Sequence, residues 1–224
     1  MAEQIPFGTD NFADNPEPRV PSILLLDVSG SMGGQPIEEL NEGLQQYKTE
    51  LSGDSVASKR VEVAVVTFGG HVRVETPFCT ADHFVPPLLA ADGDTPMGQA
   101  IMEAVTMLRD RKDLYRANGI MFYRPWIFLI TDGAPTDEWR AAAQRVHEGE
   151  GKKEFTFFAV GVQGAQMETP SQISVREPVM LKKLAFRDMF TGPSNSQQAV
   201  SRPQHGEEIP LTNPTAGPNG WAMV

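Results

Sequence analysis

Three short stretches of this chain concentrate side-chain oxygens: Asp27-Val28-Ser29-Gly30-Ser31, Asp92-Gly93-Asp94-Thr95-Pro96-Met97-Gly98 and Thr131-Asp132-Gly133. Brought together, two carboxylates and three hydroxyls make an all-oxygen donor set. Hard divalent cations prefer such a set, and Mg2+ in particular accepts a few protein ligands while keeping several waters. The residue types also say how the ion would behave. Two directly bound carboxylates would neutralise it, whereas hydroxyl ligands leave its charge in place. With the aspartates held behind water, the ion stays electrophilic and open to one more anionic ligand. Gly30, Gly33 and Gly34 let the backbone pass close to such an ion.

The segments around these stretches must position them. Val20–Val28 (VPSILLLDV) is a short continuous apolar run, as a strand buried on both faces requires. Gln35–Leu51 follows with Ile37, Leu40, Leu44, Tyr47 and Leu51 at helical spacing, and Pro36 suits a first helical turn. Val61–Phe68 and His71–Thr76 read as strands joined by a tight turn at Gly69-Gly70. Met97–Tyr115 is the longest helical pattern, Arg124–Thr131 a buried strand, Asp137–Glu148 a third helix and Phe155–Val162 a further strand. The order β-α-β-β-α-β-α-β predicts an α/β fold. It is a doubly wound, mostly parallel sheet with one antiparallel edge strand and helices on both faces. Ligands in such sheets bind at the carboxyl ends of the strands, near a switch in strand order, and all three oxygen-rich stretches fall there. Beyond Gly161 the pattern weakens to a short helix over Met167–Ile173, a short strand over Val179–Leu181 and a final helix over Phe186–Val200.

Asp27-x-Ser29-x-Ser31 on a buried strand, Thr95 before a helix and Asp132 in a strand-TDG turn together resemble the metal-ion-dependent adhesion site of von Willebrand factor type A (vWA) domains. The resemblance spans about residues 20–200. It implies direct metal contacts from Ser29, Ser31 and Thr95, water-mediated contacts from Asp27 and Asp132, and a partner's carboxylate in the sixth position. Mg2+ is the expected ion, with Mn2+ and Ca2+ as alternatives. Asp94, Asp137 and Trp139 are candidates for a partner-binding rim.

LLLDVSGSM, DTPMGQAI and LITDGAPTDEW are further similar to the TerY-like proteins of bacterial tellurite-resistance and stress-response operons. That resemblance implies an adaptor accompanied by a kinase and a phosphatase, and the missing leader and membrane-span patterns make a cytoplasmic location the expectation. Two departures stand out: Asp94 replaces a usual glycine, and Thr191-Gly192-Pro193 interrupts the last helical segment. Pro170 also falls inside a segment expected to be helical, where a proline costs ~3 kcal/mol.

The rest of the sequence narrows the function. The net charge of −10 argues against unaided binding to nucleic acid or to anionic lipid. Residues 1–19 contribute −3 and residues 203–224 contribute −2, so half of the acidity lies in segments rich in Pro, Gly and polar residues. These read as flexible tails, 1–18 and 203–224, around a domain over 19–202. Cys79 is the only cysteine, which excludes an internal disulfide and a Cys-based zinc site. His71, His83, His147 and His205 lack ligand spacing. There is no secretory leader pattern and no apolar run of membrane-spanning length.

Catalysis is disfavoured. No GxxxxGK[ST] phosphate loop occurs, Ser31 lacks a GxSxG context, and Ser29 stands where a haloacid dehalogenase-like phosphotransferase needs a second aspartate. Two basic runs, Arg109/Arg111/Lys112/Arg116 and Arg176/Lys182/Lys183/Arg187, read as solvated faces or as docking surfaces for an acidic partner. Thr9, Ser194, Ser196, Ser201, Thr212 and Thr215 lie where a kinase could reach them, so a regulatory scaffold modified by its partner kinase is the alternative function.

Overall fold

The first strand, β1 (Val20–Asp27), is buried along its whole length because it lies in the middle of the sheet. The computed structural model describes residue 12 and residues 15–162, 164–181 and 222–223. After β1 come α1 (Gln35–Gly53), the short α2 (Ala57–Arg60), β2 (Val61–Gly69), β3 (His71–Thr80), α3 (Met97–Ala117) and β4 (Trp126–Thr131). Next are α4 (Arg140–Gly151), β5 (Thr156–Gly161), α5 (Glu168–Ile173), β6 (Val179–Leu181) and β7 (Ala222–Met223). The strand order is β3-β2-β1-β4-β5-β6-β7.

β1, β2, β4, β5 and β6 are mutually parallel, and β3 closes one edge antiparallel to β2. At the other edge β7 pairs antiparallel with β6. The expected doubly wound, mostly parallel sheet is therefore present. Its first antiparallel edge hairpin turns at Gly69-Gly70, as read. β3 runs four residues past the expected Thr76, to Thr80, with Pro77 tolerated because the strand is an edge.

Alternation along the central strands splits the core between the two faces of the sheet. Leu24 and Leu26 of β1 pack with Ile37, Leu40, Leu44, Tyr47 and Leu51 of α1. Ile23 and Leu25 pack with Met97, Ile101, Ala104 and Leu108 of α3, and with Ala142 and Val146 of α4. Apolar spacing of three and four on α1 and α3 is thus explained by the sheet each helix covers. Among the described residues, no helix is long and apolar enough to cross a membrane.

Several expectations shift. Pro170 breaks nothing: it occupies the first turn of the six-residue α5, where its missing N–H has no intrahelical partner to lose. The helix expected over Phe186–Val200, with its Gly192-Pro193 break, lies outside the described residues, as do Lys182, Lys183 and Arg187. Part of the segment read as an N-terminal tail is docked. Arg19 is wholly buried and donates to the carbonyls of Asn15 and Glu17, Glu17 pairs with Arg60 at 2.7 Å, and Phe12 packs edge-on against Tyr115. Two residues of the segment read as a C-terminal tail form β7.

The basic run on α3 is mostly paired within the domain. Arg111 reaches the buried Glu62, Lys112 donates to the Glu154 carbonyl, and Arg109 and Arg116 pair with Asp110 and Asp113.

Candidate metal centre

β1 lies between β2 on one side and β4 on the other, so the chain reverses its winding at β1/β4. The residues that leave the carboxyl ends of these two strands therefore face one crevice. Asp27 ends β1 and Asp132 follows β4 directly.

Asp27 is fully buried. One of its carboxylate oxygens accepts the Ser29 N–H at 2.9 Å and the other accepts the Thr131 hydroxyl at 2.5 Å. Burial pushes its carboxyl above the usual range. Hydrogen bonds from Ser29 and Thr131 counter that rise, and the nearby Asp132 carboxylate adds to it. A cation in the crevice would favour the ionised form. The Ser29 and Ser31 hydroxyl oxygens lie 3.2 Å apart, and the Ser31 hydroxyl donates to Asp132 Oδ1 at 3.0 Å. Adjacent oxygens of an octahedral Mg2+ shell at ~2.1 Å are separated by about 3 Å. The spacing and the donor chemistry thus fit a small hard cation. Among the described residues no group of three or more His, Cys, Asp or Glu side chains is placed to hold a metal ion, so an ion bound here would need the hydroxyl oxygens as well.

The second loop is joined to the first through its backbone. Gly30 N–H donates to the Gly93 carbonyl at 2.9 Å, Asp92 N–H to Val28 at 2.8 Å, and Gly70 N–H to Asp94 at 2.7 Å. Thr95 is buried, with its N–H on the Thr136 hydroxyl at 3.0 Å and its carbonyl accepting the Thr136 N–H. The glycines make this crossing feasible. A Cβ on Gly93, whose φ is +71°, would stand 2.5 Å from Gly70 Cα, and one on Gly69 would stand 2.5 Å from the Val28 carbonyl oxygen. Gly93→Ala is expected to cost at least the ~1–2 kcal/mol of a left-handed residue. It should also push the Thr95 loop off the Ser29 loop. Thermal melts and Mg2+ titration of the same variant should both show the loss.

Asp27, Ser29, Ser31 and Asp132 thus form one hydrogen-bonded chain, with Thr95 on the adjoining loop. The rim candidates diverge. Asp94 is exposed. Asp137, expected to cap its own helix, instead accepts the N–H groups of Gly98 and Gln99 at 3.0 and 2.8 Å, capping the first turn of α3. α4 begins only at Arg140, with Trp139 before it, half-buried against the core and under the Arg140 guanidinium. Sequence reasoning missed Thr131 and Thr136 as supports. The first was legible in the TDG turn, whereas nothing local marks the second.

Residues 23–189 match the von Willebrand factor type A domain family. The chain belongs to that family. Among solved structures, this vWA domain is similar to proximal thread matrix protein 1 of the mussel byssus. Identity is 18% and TM-score 0.56, over 79% of this chain and 47% of that one. It is also similar to the vWF domain of the type V pili tip protein Mfa5 from Porphyromonas gingivalis (11%, TM-score 0.63, 86% and 99%). A third is the manganese-loaded TRAP protein of Plasmodium vivax (20%, TM-score 0.53, 77% and 73%). One structure of the mussel protein has a zinc-occupied MIDAS motif. At these identities the likeness concerns the fold, and the chain spans under half the length of the mussel protein. A comparison with curated proteins gave no match.

Proposed function

We propose that this vWA domain is a divalent-cation-dependent protein-binding module. Ser29, Ser31 and Thr95 would hold the ion directly, and Asp27 and Asp132 would do so through water. Mg2+ is the proposed ion, with Mn2+ and Ca2+ as alternatives. The ion supplies an electrophilic position that a partner's Asp or Glu completes, while the protein supplies fixed oxygens and a buried negative charge. The supporting observation is the chain of contacts from Asp27 through Ser29 and Ser31 to Asp132 at the switch point of the sheet.

Binding is favoured over phosphoryl transfer because Asp27, the nucleophile such chemistry would need, is buried with both oxygens already accepting hydrogen bonds. The finer reading places the protein in a bacterial cytoplasm as a TerY-like adaptor of a tellurite-resistance or stress-response operon, with the operon's kinase and phosphatase as partners.

Isothermal titration of Mg2+ into the full chain tests the metal reading. Asp132→Ala is expected to weaken binding at least tenfold. Unchanged affinity would refute the site. A pull-down from the native host, with and without EDTA, should show a cation-dependent partner.

A further inference from the structure

The segment between β3 and the metal loops is fixed in place, yet it turns apolar side chains outward. Phe84 is buried against Tyr47, their rings crossing edge to face at 6.4 Å. Leu89 is buried too, and Asn41 of α1 grips its backbone from both sides. The Asn41 amide donates to the Leu89 carbonyl at 3.0 Å, and Leu89 N–H donates to the Asn41 oxygen at 2.8 Å. Lys48 holds the start of the segment through the carbonyls of Ala81 and Asp82, and Asp92 N–H holds its end on Val28.

Between these anchors lies Val85-Pro86-Pro87-Leu88. Val85 is 77% and Leu88 91% exposed, and the prolines are half-buried. Scattered exposed apolar residues need no explanation, but two such residues at either end of a pinned, proline-stiffened strap do. Such a surface has already lost its conformational freedom, so a partner that covers it would have little ordering entropy to overcome.

The strap leads directly into the metal loops. Asn41 lies six residues along α1 from Gln35, about 9 Å of helix. Along the chain between the strap and Thr95 come Asp92 and Asp94, both exposed, and neither carboxylate has a hydrogen bond or ion pair among the described residues. Glu38, also exposed, lies one turn before Asn41 on α1. The surface therefore runs from apolar, through acidic, to the cation crevice.

We propose that this surface docks a protein segment carrying an apolar side chain for Val85 and Leu88, a basic side chain for Asp92 and Asp94, and the carboxylate that meets the cation. The proposal rests on the metal reading and adds the partner's chemistry to it. An acidic segment without a cationic neighbour would be repelled by Asp92 and Asp94, so the basic residue also supplies selectivity.

A displayed peptide library with one fixed glutamate and randomised flanks, selected on the full chain in Mg2+, provides the probe. Enrichment of an apolar and a Lys or Arg residue on the same side of the glutamate is the expected result. A Val85→Ser/Leu88→Ser variant should bind the selected peptides about tenfold more weakly with unchanged Mg2+ affinity. Asp92→Asn/Asp94→Asn should erase the preference for Lys or Arg. Peptides that are lost in EDTA but indifferent to the Val85/Leu88 variant overturn the strap alone. Peptides that bind equally in EDTA overturn the metal reading, and a selection without any Mg2+-dependent peptide overturns both. Self-association of the chain that the same serine substitutions abolish would assign the strap to a second copy and overturn the proposal.

Discussion

Asp27→Ala is expected to abolish measurable Mg2+ binding while the domain stays folded. The carboxylate does two jobs that can be separated. It is the buried negative charge beside the proposed ion, and it accepts Ser29 N–H and the Thr131 hydroxyl. Truncation leaves two donors unpaired, at a cost of about 1–3 kcal/mol each if water cannot enter. It also removes the burden of a desolvated carboxylate, whose raised pKa shows that burial opposes its charge. The two terms oppose each other, so the net loss is expected to stay below the 5–15 kcal/mol of an ordinary domain. Asp27→Asn keeps an acceptor for one of the donors and should be closer still to wild type in stability, yet equally silent in calorimetry. Urea denaturation beside Mg2+ titration distinguishes the effects. Retained Mg2+ affinity in either variant would remove Asp27 from the site.

The largest loss of stability is expected far from the metal. Glu62 on β2 is buried, and its carboxylate accepts Arg19 at 2.9 Å, Arg111 at 2.7 Å and the Tyr115 hydroxyl at 2.5 Å. The Tyr115 phenol is pushed well above its ordinary range by burial and then by the Glu62 carboxylate. Phe12 lies under the Arg111 guanidinium, 4.9 Å from ring centroid to its central carbon. Glu62→Ala leaves Arg19, itself wholly buried, without its counter-charge. Removing one member of a buried ion pair typically costs about 3–5 kcal/mol. The docked segment around Asn15 and Glu17 should loosen with it, because Arg19 also organises those carbonyls. Chemical denaturation should show the full loss, and hydrogen exchange should show the N-terminal segment opening first. A loss under ~1 kcal/mol would mean that the cluster is accessible to water.

What the sequence revealed and what it concealed follow one physical division. VPSILLLDV is the short apolar run that a strand buried on both faces requires, and Ile37, Leu40, Leu44 and Tyr47 have the spacing of a helix with one covered side; both elements are present. Asp27, Ser29 and Ser31 were legible together because two-residue spacing after such a strand confines them to one loop. Contacts that span the chain were not legible. Nothing near Thr136 announces that its hydroxyl holds the Thr95 N–H, forty-one residues away. Asp137 looked like the cap of the helix after it and turned out to cap the helix before it, because the packing of α3 on α4 is a tertiary fact. Gly98 makes that packing possible, since a Cβ there would stand 2.4 Å from the Glu138 carbonyl oxygen. Glu62 read as one polar residue in a strand, and only the fold supplies its two arginines. The fixed course of Val85-Pro86-Pro87-Leu88 is likewise a tertiary fact, set by Asn41 on the Leu89 backbone.

The Glu62 cluster also sets the direction in which the molecule faces. Phe12, Arg19 and the end of α3 gather at the amino ends of the parallel strands, whereas Asp27, Thr95 and Asp132 sit at the carboxyl ends. Helix α3 spans the distance between them: its 21 residues make a rod of about 30 Å. A probe anchored at the turn after that helix, through Asn118→Cys for instance, would present the oxygen-rich loops outward to a surface, a sensor or a second molecule. Cys79 would compete poorly for the label, since burial pushes its thiol up and keeps it protonated. The domain can therefore be held at one pole and interrogated at the other.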